Sequence, residues 1–270
     1  MNKLTSVSVA LIAGFILGIS GNFTPVFAAQ AVEQSTSITA KNLVDSGNRK
    51  SDRGDLRGAI ALYQQALEIQ PTYARAFFNL GSAYCQLNDF AASKAAFTQA
   101  IRLAPEDSEA WAGRGIAHLE LGQIDSSISD FDRSIQLDQK QWRAWWGRGQ
   151  AYFRSSSLAE AEHNLTQAIS LNPNNPLIYL DRGNTYLIFS VTAQPPQQKT
   201  YQQRAIADLT KATQLRSNLA TAFNTRGFIY AQAGQKQAAI RDFQQAAKLY
   251  EAQDQPESAK AALEQIRSLN

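Results

Sequence analysis

The chain has few of the residues that catalytic and metal sites depend on. Its 270 residues include one cysteine, Cys85, and two histidines, His118 and His163. A lone cysteine cannot form a disulfide within the chain. The histidines belong to different segments, and no cluster of cysteines or carboxylates surrounds them at metal-ligand spacing. With no nucleophile motif and no phosphate-binding loop either, the sequence predicts a protein that is not an enzyme and uses no metal or cofactor.

Charge of one sign is not concentrated anywhere in the sequence. Only 18% of the residues are charged, and the formal net charge is +3. Nucleic-acid binding needs a clustered basic stripe, so we expect no nucleic-acid partner. The 44% of hydrophobic residues is typical of a globular chain and not of a disordered one.

Long apolar runs are scarce as well. The mostly apolar, uncharged run near the N-terminus, residues 7–19, is too short for a membrane span of about 20 residues. Lys3 precedes this run, and Val26-Phe27-Ala28 follows it with small residues at both cleavage positions. This pattern predicts a secretory signal peptide over residues 1–28. We therefore expect export to the periplasm or another extracytoplasmic compartment, with membrane contact only if the segment stays uncleaved. The polar residues 29–39 are predicted to be a linker.

Residues of four kinds recur along the chain at one spacing, and each set of equivalent positions is called a column here. Glycines stand 34 residues apart, with one later step of 44, at Gly47, Gly81, Gly115, Gly149, Gly183 and Gly227. Large apolar residues follow the same steps at Tyr63, Phe97, Phe131, Leu165, Leu209 and Phe243. Small residues from Ala66 to Ala246 and closing residues from Pro71 to Glu251 do so too. Each period reads as helix, turn and helix, and such hairpins must stack because one hairpin cannot bury its apolar face.

These columns resemble the tetratricopeptide repeat, a 34-residue hairpin with aromatic, glycine, alanine and closing proline positions. The second period carries them as Phe77, Gly81, Tyr84, Ala100 and Pro105. The resemblance implies an all-α fold, a right-handed α-solenoid of helix-turn-helix hairpins. Six repeats are predicted, at residues 40–73, 74–107, 108–141, 142–175, 176–219 and 220–253.

Two features depart from the repeat. The fifth period has ten extra residues, and we expect them to form a protruding loop near 190–201. After the sixth period, residues 256–269 are predicted to form a C-terminal capping helix. Its apolar face, Ala259, Ala262, Leu263 and Ile266, should cover the last hairpin.

Arginines precede the later glycines, and acidic or amide residues follow them at a matching place. The pairs are Arg114 with Asp130, Arg148 with Asn164, Arg182 with Asp208 and Arg226 with Asp242. The first two repeats lack both members. Because the two columns vary together, we predict bridges across each hairpin. A stripe for anionic ligands is the alternative.

In the family that the chain resembles, the first helix of each hairpin lines a concave groove. Counted from the packing glycine, the groove positions are three and two before it, one after it, and four or five after it. The candidate binding residues are Phe78, Asn79, Ile116, Leu119, Trp146, Gln150, Phe153, Arg154, Asn184, Asn224 and Phe228.

This wall is apolar for a wet surface, and exposed apolar patches mark interaction sites. The resemblance therefore implies a scaffold, adaptor or assembly factor that binds an apolar or amphipathic segment of a protein or peptide partner. Two alternatives remain. One is a membrane-tethered assembly platform that keeps its N-terminal segment. The other is a module for cell-wall glycans, with Trp142 and Trp146 as stacking residues.

Overall fold

A computed structural model describes residues 25–269, which form helices joined by turns, with no strand in that range. The chain divides into two compact units, Met1–Ala117 and His118–Asn270. The described helices, numbered in chain order, are α1 (Pro25–Asp52), α2 (Leu56–Ile69), α3 (Ala74–Gln86), α4 (Phe90–Leu103), α5 (Ser108–Glu120), α6 (Ile124–Leu137), α7 (Trp142–Arg154), α8 (Leu158–Leu171), α9 (Pro176–Thr192), α10 (Gln197–Leu215), α11 (Ala220–Gln232), α12 (Lys236–Ala252) and α13 (Pro256–Leu269).

The first unit is built from two helical hairpins. Helix α1 packs on α2, α2 on α3, and α3 on α4. Buried residues from the first three helices, among them Val44, Tyr63 and Leu80, form one core cluster. A second cluster around Phe97 includes Ala110 of α5. Each hairpin therefore buries its apolar face against the next element, as the repeat pattern predicts.

The segment predicted to be a linker is helical instead. Helix α1 begins at Pro25 and runs through residues 29–39 without a break. No proline or glycine interrupts Ala28–Asp45, and the Thr36 and Thr39 hydroxyls donate to carbonyls of the preceding turn. Such bonds let hydroxyl side chains sit inside a helix, so a polar composition alone did not identify a linker.

The predicted signal peptide lies outside the described residues, except for its last four, which begin α1. Among the helices that the structure describes, none is long and apolar enough to cross a membrane.

The second unit continues the same alternation. Helix α7 packs on α6 and α8, α9 on α8 and α10, and α11 on α10 and α12. The first helices also touch one another, because α9 contacts both α7 and α11. Helix α13 packs on α12 and buries Ala259 and Ala262 against Tyr250. Leu263, which was expected in that contact, is 40% exposed.

The ten extra residues of the fifth period lengthen the helices and do not form the loop expected near 190–201. Helices α9 and α10 have 17 and 19 residues, against 13 and 14 in α7 and α8. Tyr201 of α10 stacks on Phe189 of α9 with ring centroids 4.9 Å apart, and Ser190 is fully buried. Aromatic stacking within the insertion thus keeps it helical.

The glycine column allows the two helices of a hairpin to approach closely. A Cβ added at Gly47 would lie 2.5 Å from the Tyr63 ring, and one at Gly81 would lie 2.9 Å from the Phe97 ring. Corresponding contacts join Gly149 to Leu165, Gly183 to Leu209 and Gly227 to Phe243. Each of these glycines therefore lies against the large apolar residue of its own hairpin.

The arginine bridges are confirmed at three of the four predicted pairs. Arg182 donates from Nε and Nη2 to the two carboxylate oxygens of Asp208, at 2.8 and 2.9 Å. Arg226 binds Asp242 in the same way. Arg148 Nε donates to Asn164 Oδ1 at 2.7 Å. Arg114 and Asp130 belong to different units, and their bridge stays a prediction.

Each of these guanidinium groups also reaches the preceding hairpin. Nη1 of Arg182 donates to Thr166 and Nη1 of Arg226 to Thr210, both at 3.0 Å. Nη1 of Arg148 pairs with Asp132 at the equivalent place. The arginines thus join three helices, and their bonding capacity is taken up by the fold. This favours the structural interpretation over a stripe for anionic ligands.

Candidate functional site

In the first unit, the predicted groove residues are engaged in packing. Phe78 is half-buried and meets the Phe97 ring edge-on at 5.6 Å. Asn79 Nδ2 donates to Asn48 Oδ1 at 2.8 Å, and the Tyr63 hydroxyl donates to the same oxygen. The Asn79 bond links α3 to the first hairpin, and Phe78 packs on α4 within its own hairpin, so the two side chains have structural partners of their own.

Helix α5 carries two further candidates, one in each unit. Ile116 is half-buried. The Leu119 side chain is buried, with 1% of its surface exposed, and its role in binding stays a prediction. The Leu119 carbonyl accepts a hydrogen bond from Arg154 Nη1 at 2.8 Å.

In the second unit, α7, α9 and α11 present the remaining candidates in three matching rows. We call this surface the unit 2 wall; its residues are Trp146, Gln150, Phe153, Arg154, Asp181, Asn184, Ile188, Val191, Asn224 and Phe228. Phe228 is 41% exposed, and Ile188 and Val191 are exposed as well. Phe153, Asn184 and Asn224 are half-buried. An apolar surface open to solvent is thus concentrated on α9 and α11.

Asp181 organises the polar part of the unit 2 wall. Its Oδ2 accepts hydrogen bonds from Trp146 Nε1 at 2.6 Å and from Gln150 Nε2 at 2.8 Å. Both donors lie on α7, so the carboxylate fixes α9 against α7. Burial raises the pKa of the Asp181 carboxyl, whereas the two hydrogen bonds and the nearby Arg154 act in the opposite direction.

The tryptophans of α7 are largely used by the fold. The rings of Trp142 and Trp146 stack on each other with centroids 5.9 Å apart, and the Arg143 guanidinium lies 4.5 Å from the Trp142 ring. Both rings also pack against the core around Ile178. Ring faces that are occupied in this way are poor platforms for a sugar, and this weakens the glycan alternative.

Asp181 is missing from the predicted set of binding residues, although it stands two residues before a packing glycine. It could have been identified by comparing this position in each repeat with the large apolar residue of the preceding hairpin. Where the preceding hairpin carries Phe97 or Phe131, this position is Gly113 or Gly147, and a Cβ there would lie 2.4 or 2.3 Å from the ring. Where the preceding hairpin carries the smaller Leu165, the position is Asp181.

The histidines are held by neighbours. His118 Nδ1 lies 2.6 Å from Gln123 Oε1, and His163 meets the Trp145 ring edge-on at 6.3 Å. Within residues 25–269, no three His, Cys, Asp or Glu side chains are grouped so that they could hold a metal ion.

Family models match most of the helical part of the sequence. One, described as a TPR repeat, matches residues 47–88 and 149–187. Two more, each described as a tetratricopeptide repeat, match residues 83–141 and 219–265. The sequence matches none of the curated proteins with which it was compared.

Solved structures share the fold at low sequence identity. PilW, described as a widely conserved type IV pilus biogenesis factor, is 19% identical with a TM-score of 0.70, over 83% of this chain and 98% of that chain. PilF of Pseudomonas aeruginosa is 15% identical with a TM-score of 0.68, over 84% and 99%. YrrB, described as a TPR protein with an unusual peptide-binding site, is 21% identical with a TM-score of 0.52, over 72% and 94%. These likenesses show an all-α helical repeat solenoid.

Proposed function

We propose that this chain, which belongs to the tetratricopeptide repeat family, is a non-enzymatic scaffold that binds an apolar or amphipathic segment of a protein partner on its unit 2 wall. Proteins of this repeat family serve as protein-interaction scaffolds and are typically not catalytic. The observation that carries the proposal is the exposure of Phe228, Ile188 and Val191 on the first helices of neighbouring hairpins.

Three large apolar side chains of the unit 2 wall are exposed on neighbouring first helices, Ile188 and Val191 on α9 and Phe228 on α11. Single apolar residues on a surface need no explanation, but contiguous ones mark interaction sites. Residue 228 of α11 and Asn184 of α9 occupy the same position in their repeats, and Ile188 lies one helical turn beyond Asn184. Covering this surface would remove apolar area from water, which is the main driving force of association.

Half-buried amides beside these apolar residues supply the polar part of recognition. Asn184 lies on α9 at the position that Phe228 has on α11, and Asn224 lies one helical turn before Phe228. Both asparagines are half-buried, and amide side chains can both donate to and accept from a peptide backbone. Gln150 is also a predicted binding residue, but its Nε2 donates to Asp181. We therefore assign backbone contacts to the two asparagines.

A random 12-residue peptide library, displayed on phage and selected on the full chain, tests this proposal. We expect enriched peptides with apolar residues at two or more spaced positions. Phe228→Ser should weaken their binding at least about tenfold, which corresponds to about 1.4 kcal/mol. Leu171→Ser is the matched control, because Leu171 is 37% exposed but lies on α8, a second helix. Equal weakening by the two variants would overturn the proposal.

The compartment is part of the same proposal. We infer that residues 1–28 direct export, and that the mature chain acts outside the cytoplasm as an assembly factor, as PilW does in type IV pilus biogenesis. N-terminal sequencing of the protein from its native cells tests this: a start at Ala29 supports cleaved export. A start upstream of residue 7 would favour the membrane-tethered platform.

A further inference from the structure

The unit 2 wall contains a depression with a carboxylate in it. The depression has a volume of about 170 Å³ and is lined by Gln150, Phe153, Arg154, Leu165, Asp181 and Asn184. It lies between α7 and α9, which both contribute to the unit 2 wall. Of its lining residues, Arg154 and Asp181 carry charge, and the others are apolar or neutral amides.

The charge of Asp181 is solvated by neutral donors alone. Trp146 Nε1 and Gln150 Nε2 both donate to Oδ2, and neither brings a positive charge. The Arg154 guanidinium donates to the Leu119 carbonyl and to Glu120 Oε1, at 2.8 and 2.7 Å. Arg154 is thus paired with Glu120 and acts on Asp181 only from a longer distance, where it lowers the pKa of the carboxyl. Among the described residues, the Asp181 carboxylate has no ion-pair partner of its own.

A carboxylate in such a place is costly unless a cation comes to it. Removing a charge from water is unfavourable without a partner charge, and burial raises the pKa of the Asp181 carboxyl accordingly. The hydrogen bonds to Trp146 and Gln150 do not require a negative charge, because an asparagine oxygen can accept from the same two donors. The two hydrogen bonds therefore account for the oxygen acceptor at Asp181 but not for its negative charge.

We propose that the partner segment carries a lysine or arginine side chain that enters this depression and pairs with Asp181. The inference rests on the proposed function and names the chemistry of the segment: one cationic residue flanked by apolar residues. The aliphatic stem of the cation would lie along Phe153, as long basic side chains cover apolar surface while their heads remain polar. The flanking apolar residues would cover Ile188 and Phe228.

The space for this side chain comes from one substitution in the repeat. At the equivalent place in the preceding hairpin, the ring of Phe131 lies against Gly147. Leu165 is smaller and fully buried, and the room that it leaves is taken by Asp181 and the depression. The other hairpin of the unit has Leu209 with Thr225, which is uncharged. The cation site is therefore confined to one position along the unit 2 wall.

The phage-displayed 12-residue library separates this inference from the proposed function. We expect the peptides selected on the full chain to carry Lys or Arg at one fixed distance from their apolar positions. Synthetic copies with that residue replaced by norleucine should bind about tenfold more weakly or worse. Selection on Asp181→Asn should return the same apolar positions without the basic one, because asparagine keeps the bonds to Trp146 and Gln150.

The selection gives different results for a failure of the cation site and a failure of the proposed function. An apolar consensus without a basic residue overturns the cation site and leaves the proposed function intact. A basic residue that persists on Asp181→Asn also overturns it. The absence of any consensus, or a consensus that is insensitive to Phe228→Ser, overturns both. Asp125→Asn, a change at an exposed aspartate of α6, is the control for an unspecific effect of net charge, and it should leave the basic position in place.

Discussion

Arg226 and Asp242 form a bidentate ion pair across the hairpin of α11 and α12, with Nε to Oδ2 at 2.7 Å and Nη2 to Oδ1 at 2.9 Å. Their side chains are 13% and 10% exposed. A third nitrogen of Arg226, Nη1, donates to Thr210 and Thr213 of α10. One guanidinium therefore sets both the closure of its own hairpin and the position of the hairpin before it.

Removing one partner of this pair should be strongly destabilising. Asp242→Ala leaves the Arg226 charge largely buried without its carboxylate, and we expect a loss of about 3 kcal/mol in the free energy of unfolding. A double-mutant cycle with Arg226→Ala, measured by urea unfolding, should give a coupling energy above about 0.5 kcal/mol. The more exposed pair Arg204 and Glu162, 3.5 Å apart, is the control and should give less than about 1 kcal/mol. No coupling at Arg226 would contradict the bridge.

Gly147 should be intolerant of a side chain as long as Phe131 is present. A Cβ at Gly147 would lie 2.3 Å from Phe131 Cζ, so Gly147→Ala forces a buried ring to move. We expect a loss of about 1–3 kcal/mol, the usual cost of overpacking. The variant Phe131→Leu recreates the pairing seen at Leu165 and Asp181, and in that background Gly147→Ala should cost less. Purely additive losses in thermal unfolding would argue against the steric account.

The acceptor at Asp181 should matter more for stability than its charge. Asp181→Ala leaves the N–H groups of Trp146 and Gln150 without their acceptor, and we expect a loss of about 1–2 kcal/mol. Asp181→Asn retains the acceptor and should unfold at the same temperature as the wild type, or higher, at pH 7. A stability of Asp181→Asn that matched Asp181→Ala would show that the charge itself holds α9 to α7.

The same carboxyl predicts a dependence on pH. Burial raises the pKa of Asp181, so the folded chain holds this proton more tightly than the unfolded chain. Its contribution to stability is present below the unfolded pKa and is lost as pH rises through the folded pKa. The unfolding free energy of Asp181→Asn relative to wild type should therefore increase between pH 4 and pH 7. A constant difference over that range would refute the raised pKa.

Tyr186 should make its contribution at neutral pH and lose it in base. Burial, with a hydrogen bond to Glu162 at 2.8 Å, raises the pKa of Tyr186 to about 12. Below pH 10 the phenol is neutral in both states, and Tyr186→Phe should cost about 1 kcal/mol for the lost hydrogen bond. As pH rises from 10 towards 12, ionisation of the unfolded chain removes this advantage, so the cost of the variant in urea unfolding should shrink. A cost that stayed the same at pH 11 would contradict the raised pKa.

The hairpin repeat could be predicted from the sequence because its signals are local and repeated. The glycine and large apolar columns recur at one spacing and so identify the helix faces that pack, and Gly81 and Phe97 lie in contact on such faces. The Arg182 and Asp208 bridge was predictable for the same reason, since two columns that vary together report a contact. The ends of α1 and the shape of the fifth hairpin were not, because stacking of Phe189 on Tyr201 depends on side chains that occur once.

The candidate site was only partly predictable. Position in the repeat does not by itself give exposure: Phe228 is 41% exposed, whereas Ile116, also one residue after a packing glycine, is half-buried. Burial of Leu119 likewise depends on the side chains that pack around it. The role of Asp181 could not be predicted from its own position in the repeat, because the room for its side chain depends on the size of Leu165 in the preceding hairpin. Only a comparison of both positions across the repeats indicates this.

The place where the partner segment binds is the most direct test of the proposed function. The photoreactive residue p-benzoyl-L-phenylalanine can replace Phe228, or Leu171 as the control, and the selected peptide can be crosslinked and identified by mass spectrometry. We expect a crosslinked product at residue 228 that excess unlabelled peptide suppresses, and none at residue 171. Equal crosslinking at both residues, or crosslinking at residue 171 alone, would contradict binding on the unit 2 wall.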